Sequence, residues 1–177
     1  MNPFIIVLFV IADIIVLILI IALVSKKDYS IQRSINIHAP AQKVFNYVKY
    51  IKNQDNYNKW VMTDPAMQKI YKGIDGQPGF IYGWNGNKKA GEGEQEVKSV
   101  DEGKNIMTEV RFVRPFPGTS FLTTTTTPLS DNETRVDFKT ESTMKFPMNI
   151  MIPMISGMLA KDMDITNKNL KKILEAS

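Results

Sequence analysis

From Phe4 to Val24 the chain runs for 21 residues with a single charge, Asp13. As a helix this segment is about 31 Å long, the thickness of a bilayer's hydrocarbon core. Eighteen of its residues are Leu, Ile, Val or Phe, and each favours insertion by roughly 0.3–0.6 kcal/mol near the centre of a span. Asp13 opposes insertion by about 2.5–3.5 kcal/mol, so the sum favours a spanning helix. No Lys or Arg precedes the run, and Lys26 and Lys27 follow it directly. A cleaved signal peptide has its basic residues first and a shorter apolar core. The segment therefore reads as an uncleaved single-pass anchor, with the signal peptide as the competing reading. The one-sided lysine pair predicts that the rest of the chain is cytoplasmic. Asp13 reads equally as an intramembrane contact and as a tolerated charge.

Setting residues 1–27 aside as the anchor leaves 28–177, about 150 residues, the size of one domain with one core. A composition of 44% hydrophobic and 23% charged residues excludes disordered and collagen-like classes. All 22 Lys and Arg and 17 of the 18 acids lie beyond position 24, giving 22 − 17 = +5 for that part. The basic residues are scattered, which argues against nucleic acid as a partner and mildly for an anionic surface. With no cysteine, disulfides, thiolate catalysis and Cys-ligated metals are excluded.

Within 29–38, Ile31, Ile35 and Ile37 alternate with Gln32, Ser34 and Asn36, the pattern of a half-buried strand. Pro40 suits a helix start, and Val44, Phe45, Val48 and Ile51 predict a short amphipathic helix over 41–51. Strands are expected at 68–71, 80–84, 91–100, 105–113, 120–128 and 133–144. In the last, Arg135, Asp137, Lys139 and Glu141 oppose Val136, Phe138 and Thr140, so one face is wet and one covered. Asn85–Gly86, Asp101–Gly103 and Asp131–Asn132 are the turns between them. Beyond Pro147, the spacing of Ile155, Leu159, Met163, Leu170 and Ile173 predicts a long helix whose start Pro153 delays or kinks. The fold class is α+β: strand, helix, antiparallel strands, terminal helix.

Several stretches carry a resemblance. They are YSIQRSINIHAP at 29–40 followed by Val44–Phe45, Trp60 with Asp64–Pro65, and the block from Gly79 through Tyr82, Trp84, Gly86, Asn87, Lys88, Lys89, Gly91 and Gly93. Phe112 to Phe116, Gly118 and the closing Asn169-Leu-Lys-Lys complete them. Together the chain over 29–175 resembles the SRPBCC superfamily (START-like, Bet v 1-like), in particular its polyketide cyclase/dehydrase-type branch. Where that pattern has Trp-x-x-Trp before Asp-Pro, this chain has Tyr57 and Trp60. The resemblance implies a helix-grip fold, a curved sheet around the terminal helix with a deep apolar cavity beneath it. Members carry lipids, polyketides, hormones or other hydrophobic molecules, and a minority catalyse cyclisation or dehydration. Fold alone does not choose between these.

For such a cavity the expected lining is Trp60, Met62, Tyr82, Trp84, Phe112, Phe121, Met144, Met151 and Met158, since aromatics and adaptable methionines suit a variable apolar ligand. The plain alternative is an ordinary core. Arg33, Arg111 and Arg114 would either orient a polar ligand end or sit outside. His38 is the single histidine, which excludes a multi-histidine metal site, and its place at a strand end points to a structural role. Asp64 and Glu109 are weak catalytic candidates. Glu94, Glu96 and Lys98 share a parity and read as a solvated face. Neither Gly91-Glu-Gly-Glu94 nor the glycines at 83–87 sits between a strand and a helix as a phosphate loop requires; both read as hairpin turns, with Asn87, Lys88 and Lys89 at a tip whose charge reads first as simple solubility and, as the alternative, as contact with lipid head groups. No metal or cofactor signature appears. The expected function is a membrane-anchored binder of a hydrophobic or amphipathic small molecule. The alternatives are a cyclase or dehydratase using Asp64, Glu109 or a tyrosine, and an interaction protein with a vestigial cavity.

Overall fold

Alternating residues that face opposite sides build one antiparallel sheet, the largest element of the molecule. In the computed structural model, which describes residues 3–176, it comprises β1 (Asp28–Ile37), β2 (Gln68–Lys72), β3 (Ile81–Asn85), β4 (Glu92–Asp101), β5 (Asn105–Arg114), β6 (Gly118–Ser130) and β7 (Glu133–Thr143). Their order is β1-β7-β6-β5-β4-β3-β2. Consecutive strands are joined by short hairpins except across the helical insertion after β1, and β7 returns to pair with β1. Met1, Asn2 and Ser177, which the divisions 1–27 and 28–177 include, lie outside the described residues.

The helices are α1 (Pro3–Val24), α2 (Ala41–Lys49), α3 (Gln54–Tyr57) and α4 (Ile152–Glu175). α2 stops two residues short of the expected 51 because Tyr50 turns extended, at ψ 111°, and Ile51–Asn53 forms a 3-10 turn. Another 3-10 turn, Met148–Met151, delays α4 so that Pro153 falls in its first turn, where a missing N–H costs nothing. α4 lies in the hollow of the sheet and buries Ala160, Met163, Thr166, Asn167, Leu170 and Leu174. With Ile37, Val44, Phe45, Val97, Ile106, Val136 and Phe138 these apolar side chains form the core.

Two ends of this grip differ. At one end α4 terminates against β1: the Glu175 carboxylate accepts the His38 backbone N–H at 2.7 Å, and Lys171 Nζ donates to Asn36 O at 2.7 Å. His38 thus takes part through its backbone. At the opposite end α1 joins β1. The register Asp28↔Thr143, Ser142↔Ser120, Gly118↔Phe112, Arg114↔Glu92 and Glu92↔Asn85 brings the β3–β4 turn (86–91) and the β5–β6 turn (115–117) to the same end.

α1 is long and apolar enough to cross a membrane. Ala22 is its one buried residue. Its last carbonyls need partners that the helix cannot supply. Ile21 O accepts from the Ser25 backbone N–H and hydroxyl, while Ala22 O and Ser25 O accept from the buried Asn149 side-chain amide at 2.6 and 3.1 Å. α1 therefore meets the domain at the entry to α4.

Candidate functional site: a groove beneath the terminal helix

Paired residues on adjacent strands share a face, so the inner surface of the sheet can be followed row by row. Arg33, Phe138, Thr124 and Ile106 form one row; Ile31, Thr140, Leu122, Thr108 and Val97 the next; then Tyr29, Ser142, Ser120, Val110, Gln95 and Tyr82; and last Gly118, Phe112, Gly93 and Trp84. Along these rows toward the α1 end, Ile106 is 2% exposed, Leu122 and Val110 are half-buried and Phe112 is 41% exposed. α4 loosens in the same direction. Leu170 is fully buried and Met163 nearly so, whereas Leu159, Ile155 and Ile152 are half-buried. Toward the α1 end the α4 side chains and Leu122, Val110 and Phe112 become more exposed, while Ser120, Gln95 and Tyr82 in the same rows stay buried; the space between the two walls there is the candidate groove.

At the groove's mouth Trp84 lies edge-on to Phe112, 6.0 Å between ring centres at 78°. The indole crosses β4 at Gly93, where a Cβ would come within 2.7 Å of the ring and 2.5 Å of Arg111 O. Its N–H donates to Ala90 O at 3.2 Å. Gly91, at φ +71°, makes the turn that allows this and leaves no room for a Cβ against Arg114 O. The glycine spacing of the Trp84-to-Gly93 block is thus a packing requirement of the tryptophan wall.

Deeper in, Gln95 Nε2 donates to Thr108 Oγ1 at 2.9 Å, a buried polar pair between two apolar rows. Asn167 on α4 is 2% exposed, and neither end of its amide reaches a partner among the described residues. Buried amides are nearly always satisfied, so an interior group of this kind marks a position for a polar ligand atom or water. At the β2 edge the Tyr82 hydroxyl donates to Asp55 Oδ1 at 2.9 Å, and Lys69 Nζ lies 2.7 Å from Asp55 Oδ2. Burial first, then the bond to Asp55, push the Tyr82 hydroxyl far above the ordinary tyrosine range. It is held as a hydrogen-bond donor and brace for α3, not poised to lose a proton.

The structure sorts the expected lining into groups. Tyr82, Trp84 and Phe112 share the inner face. Met144 and Met151 are half-buried on the connection into α4. Trp60 and Met62 lie in the segment that crosses α4, where the Lys59 N–H bonds Thr166 Oγ1 and Met62 Sδ meets Asn169 Nδ2; both are part-exposed. Phe121 and Met158 lie elsewhere. Phe121 pairs with Glu141 and Glu109 on the outer face, and Met158, 55% exposed, is on the side of α4 opposite its buried residues.

Asp64 and Glu109 also stand off the groove. Asp64 accepts the Asn87 and Ala66 backbone N–H groups and braces a turn. Glu109 sits on the outer face within 3.4 Å of Lys98 and 3.3 Å of Arg111, beside Glu94 and Glu96, and so joins the array that parity predicted for Glu94, Glu96 and Lys98. Arg111 belongs to that outer array, Arg114 ties the two hairpins together, and Arg33 faces inward to meet Asp164 at 3.3 Å. Of the aromatic pair, Tyr57 is in the core and Trp60 at the surface. Asn149, Asn167, Asp55 and the Gln95–Thr108 pair carried no recognisable sequence signal, being single polar residues in otherwise regular elements. No cluster of three metal-ligating side chains occurs among the described residues.

Comparison with known proteins agrees with this geometry. A family model described as "Polyketide cyclase / dehydrase and lipid transport" matches residues 28–175. No curated protein matches the chain. Among solved structures it is similar to Ara h 8.0201, at a TM-score of 0.62 and 12% identity, covering 85% of this chain and 99% of that one. It is also similar to norcoclaurine synthase from Thalictrum flavum, solved with dopamine and hydroxybenzaldehyde, at 0.59 and 18%, covering 84% and 90%. XoxI from Bacillus cereus gives 0.62 and 11%, covering 82% and 94%. At these identities the likeness speaks for the fold.

Proposed function

Because the chain belongs to the polyketide cyclase/dehydrase and lipid transport family of the SRPBCC superfamily, we propose that it is a membrane-anchored carrier of a hydrophobic or amphipathic small molecule, a lipid taken from the bilayer that holds it. What supports this reading is the fall in burial of Leu122, Val110 and Phe112, and of Leu159, Ile155 and Ile152 on α4, toward the end where α1 attaches. An apolar slot with a few inward polar groups is the usual form of a small-molecule site. Here the slot is lined by Leu122, Val110, Phe112 and Trp84, with Gln95 and Thr108 behind them. In this reading 1–27 anchors the cytoplasmic domain 28–177, Met144 and Met151 adapt the groove to its ligand, and tethering raises the effective lipid concentration at the mouth. Catalysis is the weaker reading, since Asp64 and Glu109 offer no acid or base to the groove.

Native mass spectrometry of the full chain, gently solubilised, followed by lipid extraction, tests the proposal. A stoichiometric lipid is expected, and Leu122→Trp, which fills the slot, should abolish it while the circular dichroism stays native. A folded protein that co-purifies empty and binds no fluorescent fatty acid would overturn the carrier reading in favour of an interaction protein.

A further inference from the structure

The end of the molecule that receives α1 also collects an unusual set of exposed side chains. The β5–β6 turn, Arg114-Pro-Phe-Pro-Gly118, projects Phe116 at 67% exposure, next to Val113 at 53%. The turn into α4 exposes Phe146 and Met148 at the same end. Around these apolar tips stand Lys26 and Lys27 on the α1 connection, Lys88 and Lys89 on the β3–β4 turn, and Lys145 before α4, all exposed. None of the five forms a salt bridge among the described residues, whereas the basic residues of the outer sheet face do. Arg114 instead spends its guanidinium on structure, bonding Glu92 and Asn85 at 2.8 and 2.6 Å and so locking the two hairpins together. Between them is a depression of about 320 Å³ lined by Lys88, Gly91, Arg114 and Pro115.

Large exposed aromatics on turns are costly in water unless something covers them. Their position, level with the exit of an apolar helix that touches the domain at its last turn, limits what can do so. From these observations we propose that this end is a second membrane-contact surface. Phe116 and Val113 enter the interface of an anionic bilayer, and Lys88 and Lys89 hold lipid phosphates at the depression between the hairpins. The occupant is a lipid surface because the patch is continuous with α1 and its five lysines without a salt bridge outnumber the carboxylates of Asp28 and Asp64 at the same end, as anionic head groups require. The consequence concerns access. Phe112 is one residue from Val113 and Trp84 four residues from Lys88, so a domain seated this way opens its groove into the bilayer. The proposal rests on the reading of α1 as a membrane span.

The absence of native cysteine makes the test direct. Single cysteines at Phe116→Cys, at Asp131→Cys on the opposite end and at Val16→Cys within α1 are labelled with an environment-sensitive fluorophore in the full chain. The proteins are reconstituted into phosphatidylcholine vesicles with or without phosphatidylglycerol, with spin-labelled lipid as quencher. Docking predicts blue-shifted, lipid-quenched emission at position 116, strengthened by phosphatidylglycerol and weakened by Lys88→Glu/Lys89→Glu, with water-like emission at 131. Quenching at 16 together with water-like emission at 116 in both vesicle types overturns the docking surface and leaves the anchor standing. No quenching at 16 removes the anchor, and the docking proposal with it. Equal quenching at 116 in both vesicle types overturns the role of the lysines.

Discussion

Gly93 shows how much one missing side chain does here. Its neighbours on the inner face are Trp84 on β3 and Phe112 on β5, and the indole occupies the space a Cβ would need. Gly93→Ala places a methyl 2.5 Å from Arg111 O and 2.7 Å from the indole, and a paired strand gives its carbonyl little freedom to retreat. Overpacking of this sort costs about 1–3 kcal/mol. We expect the variant to unfold at lower denaturant and, in a Trp60→Phe background that leaves Trp84 as the sole tryptophan, to show a shifted emission maximum. An unshifted maximum with wild-type stability would mean that the indole does not rest on Gly93.

The elements are held at their margins by carboxylates that the fold keeps ionised. On the outer face, hydrogen bonds from Arg111 and Lys98 hold the Glu96 carboxyl below the ordinary glutamate range. Burial alone would raise Asp137, yet bonds from the Ser34 hydroxyl, Arg135 and Gln32 lower it. At the end of α4 the His38 backbone N–H, with Lys171, lowers Glu175. Each group has a folded pKa below its unfolded value, so its contribution is complete above the unfolded value of about 4 and is lost as pH falls through the folded one. The sheet and the α4 clamp should therefore weaken together below about pH 4. Denaturant unfolding at a series of acid pH values measures this, and Glu175→Gln should flatten the slope. A slope unchanged by that substitution would show that the clamp adds no acid sensitivity.

The elements also differ in how far their faces could be read from the chain. β7 alternates charged and apolar residues, so its inner face was legible without a structure. β6 runs through Thr123 to Thr127, where both parities are the same residue type, and only pairing of Thr124 with Phe138 decides that Phe121 points outward. The entry to α4 is similar. Met151, Met154, Ile155, Met158 and Leu159 place apolar residues around most of a turn. Packing against β1, not periodicity, turns Met158 away from the sheet.

Across the whole molecule, α1 meets the rest of the chain at the buried Asn149 side chain, at the end of the sheet that also carries the β3–β4 and β5–β6 turns. The proposed membrane orientation rests on Lys26 and Lys27 alone, through the positive-inside argument. Reversing both to Glu should therefore put a fraction of molecules in the opposite topology, read as protease protection of the domain in sealed membrane vesicles. Wild-type protection in the double variant would show that these lysines do not set the orientation. The sequence by itself determined the apolar span, the α+β order, the family and the solvated outer face, because length, periodicity and glycine spacing are local properties. Which aromatics face inward and how α1 is fastened were readable only in the tertiary structure, because these depend on strand register and on contacts between residues more than a hundred positions apart, such as Asn149 with Ala22.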